Sequence, residues 1–224
     1  MEKEFQIFIN FKTYPQGTGL LALELASICQ KVSQQSGIVI TPVVQVVDAF
    51  RISSETKSSV WVQNADFSKP GANTGFVSLE ALLESGVAGI LLNHSEHPIP
   101  QGTIKQVLSR IKKEDQLKNI KTMVCCKTLG QIEKIAKLKP SFIAYEIADL
   151  IGGKISITDY DPKAVSHAVK LCKDIPLIVG AGIHQDKDLL KARELGAGGV
   201  LISSAIVLAE NPLEKLNEII KLLV

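Results

Sequence analysis

Asn10, Lys12, His94 and Glu146 are the side chains in this sequence best suited to moving a proton beside a carbonyl. Glu146 follows a short apolar run, 142–145, and opens a loop that ends on Gly152 and Gly153. A carboxylate at the end of a buried strand, under a segment able to move, is placed as a general base would be. Asn10 and Lys12 are two residues apart at the end of another apolar run, a spacing that points both to one side. Asn93-His94-Ser95-Glu96 follows a third run, Gly180-Ala181-Gly182 a fourth and Ser203-Ser204 a fifth.

The residue types suggest a division of labour. Lys12 supplies positive charge for a dianionic substrate or an anionic intermediate. A neutral His94 donates a hydrogen bond to a substrate oxygen and polarises a carbonyl. Glu146 removes the proton on the adjacent carbon. The turns at 180–182 and 203–204, with a short helix starting near Ser203, present backbone N–H groups to a phosphate, and Gly152-Gly153 adds another donor. Taken singly, each group has an ordinary reading: a solvated lysine, a structural histidine, a capping carboxylate, a tight turn. They become a site only if the fold carries them to one rim.

The elements that must do this alternate along the chain. Strands are predicted at 5–10, 38–40 (closed by Thr41-Pro42), 59–63, 88–92, 120–125, 142–145, 175–179 and 199–202. Helices are predicted at 20–32, 46–52, 79–84, 103–117, 129–138, 162–172 and 187–195, with a last one opening at Asn211-Pro212. Gly37 ends the first helix, and Ser78 and Asp161 cap two others. Strand–helix alternation implies a parallel sheet with right-handed crossovers. An open doubly wound sheet would carry a glycine-rich turn after its first strand, where this chain has Asn10-Phe11-Lys12-Thr13. A single (β/α)8 barrel over residues 1–224 is therefore favoured, with all the groups above at the C-terminal ends of its strands.

Composition narrows the function classes. With 25 Lys and Arg against 23 Asp and Glu, the formal net charge is +2 and no basic run stands out, so neither nucleic acid nor membrane is an expected partner. Cys29, Cys125, Cys126 and Cys172 have no metal-ligand spacing and read as reduced core residues, so no metal is expected. The start of the sequence lacks the form of a signal peptide and no apolar run is long enough to span a bilayer, which leads to a cytoplasmic expectation.

Six motifs together resemble the triosephosphate isomerase family, and its short archaeal-type branch most closely. They are Ile9-Asn10-Phe11-Lys12-Thr13-Tyr14, Gly71-Ala72-Asn73-Thr74-Gly75, Asn93-His94-Ser95-Glu96, Ala144-Tyr145-Glu146, Leu150-Ile151-Gly152 and Gly180-Ala181-Gly182-Ile183. The likeness runs from the first strand to the eighth. It implies Glu146 as base, His94 as neutral electrophile, Lys12 as positive partner and Asn10 as a substrate hydrogen-bond donor. It implies a supporting ionic role for Glu96 and substrate- or phosphate-binding positions at Ile151, Gly152, Gly182, Ser203 and Ser204. The implied substrate is a triose phosphate, handled without cofactor or metal. The resemblance also implies a homodimer or homotetramer, with Thr74 at a loop tip that enters the neighbouring subunit. This chain has Ile147 where most members have proline, and Gly153-Lys154 where Thr-Gly is usual. Two alternatives remain open: a barrel enzyme acting on another sugar phosphate, and a non-catalytic phosphate-binding relative.

Overall fold

The computed structural model describes residues 5–147, 150, 153 and 155–224. Among them, eight strands hydrogen-bond side by side in chain order. They are β1 (Gln6–Asn10), β2 (Val39–Val44), β3 (Val60–Val62), β4 (Val87–Leu92), β5 (Lys121–Cys126), β6 (Phe142–Tyr145), β7 (Leu177–Gly180) and β8 (Gly199–Ile202). All pairings are parallel, and β8 returns to β1 with Ile7 opposite Val200, closing a (β/α)8 barrel. The helices between and after the strands are α1 (Gly19–Ser36), α2 (Val46–Thr56), α3 (Leu79–Glu84), α4 (Gln101–Lys113), α5 (Leu129–Ala136), α6 (Ile157–Tyr160), α7 (Pro162–Cys172), α8 (Asp186–Glu194), α9 (Ser204–Val207) and α10 (Pro212–Ile220). No described helix is long and apolar enough to cross a membrane.

The period-2 alternation of each strand separates two cores. Ile7 and Ile9 pack outward with Ala22, Leu25, Ala26 and Cys29 of α1. Phe8 faces inward with Trp61, Leu91, Met123, Phe142, Ala144, Ile178 and Leu201. Phe8, Trp61 and Phe142 fill the barrel edge to face, with ring centroids 5.0, 5.4 and 5.8 Å apart. Gly89 on β4 leaves room for this cluster, since a Cβ there would lie 2.2 Å from the Trp61 ring.

The interior layer also sets what stands above it. Two residues beyond Phe8, Trp61, Ala144, Ile178 and Leu201, on the same face, come Asn10, Gln63, Glu146, Gly180 and Ser203. The apolar filling of the barrel thus acts as the floor on which the polar rim is built.

Two predicted elements differ in course from the structure, and one short helix stands where none is predicted. β2 runs through Thr41 and Pro42 instead of ending at them. Pairing with β3 starts only at Val43, so the proline stays outside that ladder. The helix expected over 103–117 is α4 followed by a separate 3-10 turn, Asp115–Leu117, because Glu114 is extended. The one-turn helix α6, capped by Ser156, has too few residues to show a period.

Candidate active site

Asn10 ends β1 buried, at 3% exposure, and its Oδ1 accepts the Lys12 backbone N–H at 3.0 Å. That bond, together with the Gln63 amide donating to the Lys12 carbonyl at 2.9 Å, holds Lys12 in a left-handed conformation, φ 50°. Such a conformation costs a non-glycine residue about 1–2 kcal/mol. The turn lifts Lys12 out of the strand direction. Its Nζ meets Glu96 Oε1 at 2.6 Å. With Oδ1 engaged, the donor that Asn10 retains for the cavity is its Nδ2 group.

His94 is delivered by a second left-handed residue, Asn93 at φ 62°. The Asn93 amide donates to the Cys125 carbonyl at 2.8 Å, and its oxygen accepts from Ile99 N–H at 3.1 Å. The loop after β4 is thereby tied to β5. His94 is buried, and its Nδ1 accepts the Glu96 backbone N–H at 3.2 Å. Glu96 Oε2 also faces Nδ1, at 3.5 Å, but its carboxylate is engaged by Lys12 at the shorter distance. A backbone N–H can only be received by a lone pair, so this contact fits the neutral tautomer with its proton on Nε2.

That Nε2–H points toward Glu146, whose Oε2 lies 3.6 Å away. Glu146 is 5% exposed, and Oε2 has no hydrogen-bond partner. A buried carboxylate oxygen left unpaired is costly, so its presence here calls for an explanation. The Glu146 backbone N–H continues the ladder to Cys126, at 3.1 Å. On β7, Gly180 makes room for the carboxylate: a Cβ there would lie 2.7 Å from Oε1. Cys125 stands on the same inner face as Met123, near Glu146. Burial, and then the charge of Glu146, pushes its thiol well above the usual range, so it stays protonated.

The remaining wall is backbone. Ala181 and Gly182 both have positive φ, 74° and 69°, and their turn bends over the cavity. At Gly182 a Cβ would lie 1.9 Å from the Ile155 carbonyl, so only glycine lets the chain returning from the Glu146 loop pass so close. Opposite, Ser203 and Ser204 enter α9, where the Ile206 and Val207 N–H groups already donate to the Ser203 carbonyl at 3.0 Å. The Ser203 hydroxyl is buried and unpartnered. Asn10, Lys12, His94, Glu146, Gly182, Ser203 and Ser204 line one small cavity of about 40 Å³. Glu96 borders an adjoining one with Lys12, Gln63 and His94. Ile151 and Gly152 lie outside the described residues, and Thr74 is exposed at its loop tip.

A family model described as triosephosphate isomerase matches residues 5–223. The chain is 36% identical to a triosephosphate isomerase of Methanocaldococcus jannaschii over 219 residues, covering 96% of this chain and 98% of the other. It is 35% identical to one from Methanobrevibacter smithii, covering 96% of each, and 36% identical to one from Methanosarcina mazei, covering 96% and 97%. The chain belongs to the triosephosphate isomerase family. Members of that family act on a triose phosphate and are generally oligomeric.

Sequence reasoning missed Gln63 in this member of the triosephosphate isomerase family, although Gln63 fixes both Asn10 and the Lys12 backbone. The available signal was its place two residues beyond Trp61, the same spacing that carries Phe8 to Asn10 and Ala144 to Glu146. His184 was missed as well. It lines the cavity beside Ile183, one residue past the glycine-rich turn.

Proposed function

We propose that residues 1–224 form one barrel domain that interconverts dihydroxyacetone phosphate and glyceraldehyde 3-phosphate. The observation that carries this reading is the unpartnered Oε2 of buried Glu146, 3.6 Å from His94 Nε2. Glu146 takes the proton from the carbon next to the carbonyl. The C–H electron pair becomes the double bond of an enediolate, whose oxygens face His94 Nε2–H and the Lys12 ammonium. Fixed donors aimed at developing charge in a water-poor site favour that intermediate over the ground state. The hydroxyl proton passes from one enediolate oxygen to the other across the face held by His94, and return of the carbon-bound proton to the neighbouring carbon completes a 1,2 shift in which no atom is gained or lost. The Asn10 amide binds substrate. The backbone at Ile151, Gly152 and Gly182, with Ser203 and Ser204, binds the phosphate. Glu96 holds Lys12 in place.

A coupled assay with glyceraldehyde 3-phosphate tests the reading. Glu146→Gln keeps the side-chain shape and removes the base, so kcat falls by roughly 10²–10⁴-fold, the worth of a general base. Turnover near that of the wild type in this variant would remove Glu146 from the mechanism.

The chain acts as a homo-oligomer in this reading, with a second copy seated where exposed apolar side chains gather. Leu20 and Leu21 start α1, and Val47 and Phe50 lie on α2. The two helix starts are joined by Gly19 N–H to Asp48 at 3.0 Å and by Gln45 to Thr18 at 2.9 Å. The loop after β3 carries Thr74 at its tip and ends on exposed Phe76. Its base is braced by Arg110, which donates to the Ser68 carbonyl at 2.8 Å and pairs with Glu80 and Glu114. A braced loop with a free tip can enter a neighbour.

A further inference from the structure

We propose that the groove between α5 and α7 is a second binding site, taking a small organic polyphosphate of the nucleoside triphosphate class. The groove encloses about 580 Å³, within the roughly 300–1,000 Å³ of sites for small organic ligands. Ala136 of α5 and Leu171 of α7 line it with Pro140, Ile175 and Pro176, which lie on the segments entering β6 and β7. All but Pro140 are half-buried, so apolar surface is left open to a ligand. This is the N-terminal end of β6 and β7, opposite the end that carries Glu146 and Gly180.

Four lysines line the same groove: Lys137 and Lys139 at the end of α5, Lys170 and Lys173 at the end of α7, all exposed. Two carboxylates accompany them among the described residues, Glu133, which pairs with Lys137 at 3.4 Å, and Asp174. This excess belongs to a wider segregation of charge. Residues 101–176 hold 14 Lys and Arg against 8 Asp and Glu, although the whole chain has 25 against 23. α7 itself carries Lys163, His167 and Lys170 and no acid. Like charge is already crowded here. Lys112 donates to the Leu138 carbonyl, and burial, followed by the charge of Lys139, lowers its ammonium from the ordinary value. An anion laid across such a cluster offsets that repulsion.

Lysines in the last turn of a helix also offset its negative end, which accounts for Lys137 and Lys170. That does not explain lysine at 139 and 173, where the chain leaves each helix at positive φ, 50° and 54°. Glycine takes such a conformation without steric cost, and does so after α1, α3 and α8 at Gly37, Gly86 and Gly196. Lys57 takes it after α2, so one lysine at such a turn marks nothing, but here two share a groove. Each keeps an ammonium where glycine would serve the backbone better. The lysines suit the phosphates of a ligand and the open apolar lining suits its body, so a molecule with both parts fits better than a bare anion.

Calorimetric titration of the whole chain with ATP tests this, with inorganic triphosphate and adenosine as the separated halves. ATP is expected to bind saturably and more tightly than either half. It should raise the melting temperature by about 5–10 °C at roughly a hundred times its Kd. Lys139→Asn combined with Lys173→Asn removes two ammonium groups and keeps a residue type that tolerates positive φ, so both turns stand. That variant should bind ATP at least about tenfold more weakly, the worth of a charge-assisted hydrogen bond, while kcat/KM stays within about twofold. Lys57→Asn, the same change at the turn after α2, and Lys12→Ala, in the catalytic cavity, should leave ATP affinity unchanged. The proposal is overturned by an absence of saturable binding to the wild type, or by equal affinity in the double variant. It is overturned equally by loss of binding with Lys12→Ala, or by inorganic triphosphate or adenosine binding as tightly as ATP. These titrations need no turnover, so they decide the groove whether or not the isomerase reading stands.

Discussion

Gly180 shows how one atom's worth of space decides the geometry of this site. β7 runs past β6, and its last residue faces the barrel interior directly beside the Glu146 carboxylate. A methyl group there would sit 2.7 Å from Oε1 and 2.9 Å from Cγ. The backbone at Gly180 is not left-handed, so alanine fits the chain itself and the side chain of Glu146 must yield. Gly180→Ala is therefore expected to leave the melting temperature close to that of the parent. It should lower kcat by roughly 10²-fold, the effect of moving a reacting group by about an ångström. Thermal melts and coupled-assay kinetics on the same preparation check both halves. An unchanged kcat would mean that the observed position of Glu146 is not its working position.

At the level of elements, legibility depended on whether both ends carried a chemical mark. The helix at Leu79–Glu84 follows Ser78, whose side chain accepts Ala81 N–H, and Pro162–Cys172 follows Asp161, which does the same for Ala164. β6 and β8 are apolar runs ended by polar residues at the rim. β2 was misread because Pro42 is a stop only where both edges of a strand are paired, a fact about its neighbour that local sequence does not hold. Gln63 was hidden for the same kind of reason, since its value comes from Asn10 and Lys12, some fifty residues away in the chain. Glu146, His94 and Lys12 were readable because each stands at the end of its own strand. The Glu96 backbone N–H that meets His94 Nδ1, and fits the neutral ring the resemblance implies, was not, because it comes from the turn of the loop. α2 makes a prediction at this scale. It buries Ala49 and Ile52 against the barrel while Val47 and Phe50, three residues apart, face solvent at 83% and 64% exposure. An apolar face of this kind on a lone chain fits a second copy. Phe50→Asp is expected to weaken self-association at least tenfold, the loss typical of a buried aromatic at an interface. Light scattering across a dilution series checks this, and assembly unchanged by the substitution would place the interface elsewhere.

The whole barrel carries a further consequence in its thiols. Cys29 lies between α1 and the sheet, Cys126 ends β5 on its outer side and Cys172 ends α7, all within the outer core. Burial pushes each of these thiols up to about 12, from an ordinary value of 9.0. In the unfolded chain they lose their protons near 9, whereas the native barrel keeps them protonated until about 12. Between those values the unfolded state binds fewer protons, so rising pH favours unfolding. The stabilisation from burying neutral thiols is complete below pH 9 and is lost as pH approaches 12. Each such thiol contributes a slope of about 1.4 kcal/mol per pH unit in that window. Lysines and tyrosines titrate there too, so the informative quantity is a difference in slope. Urea midpoints measured from pH 8 upward, converted to unfolding free energies, are expected to fall steeply for the parent. They should fall less steeply when Cys29, Cys126 and Cys172 are all replaced by alanine, whatever the lower starting stability of that variant. Parallel slopes in the two proteins would show that these thiols meet water in the native barrel, and that the outer core is looser than its packing indicates.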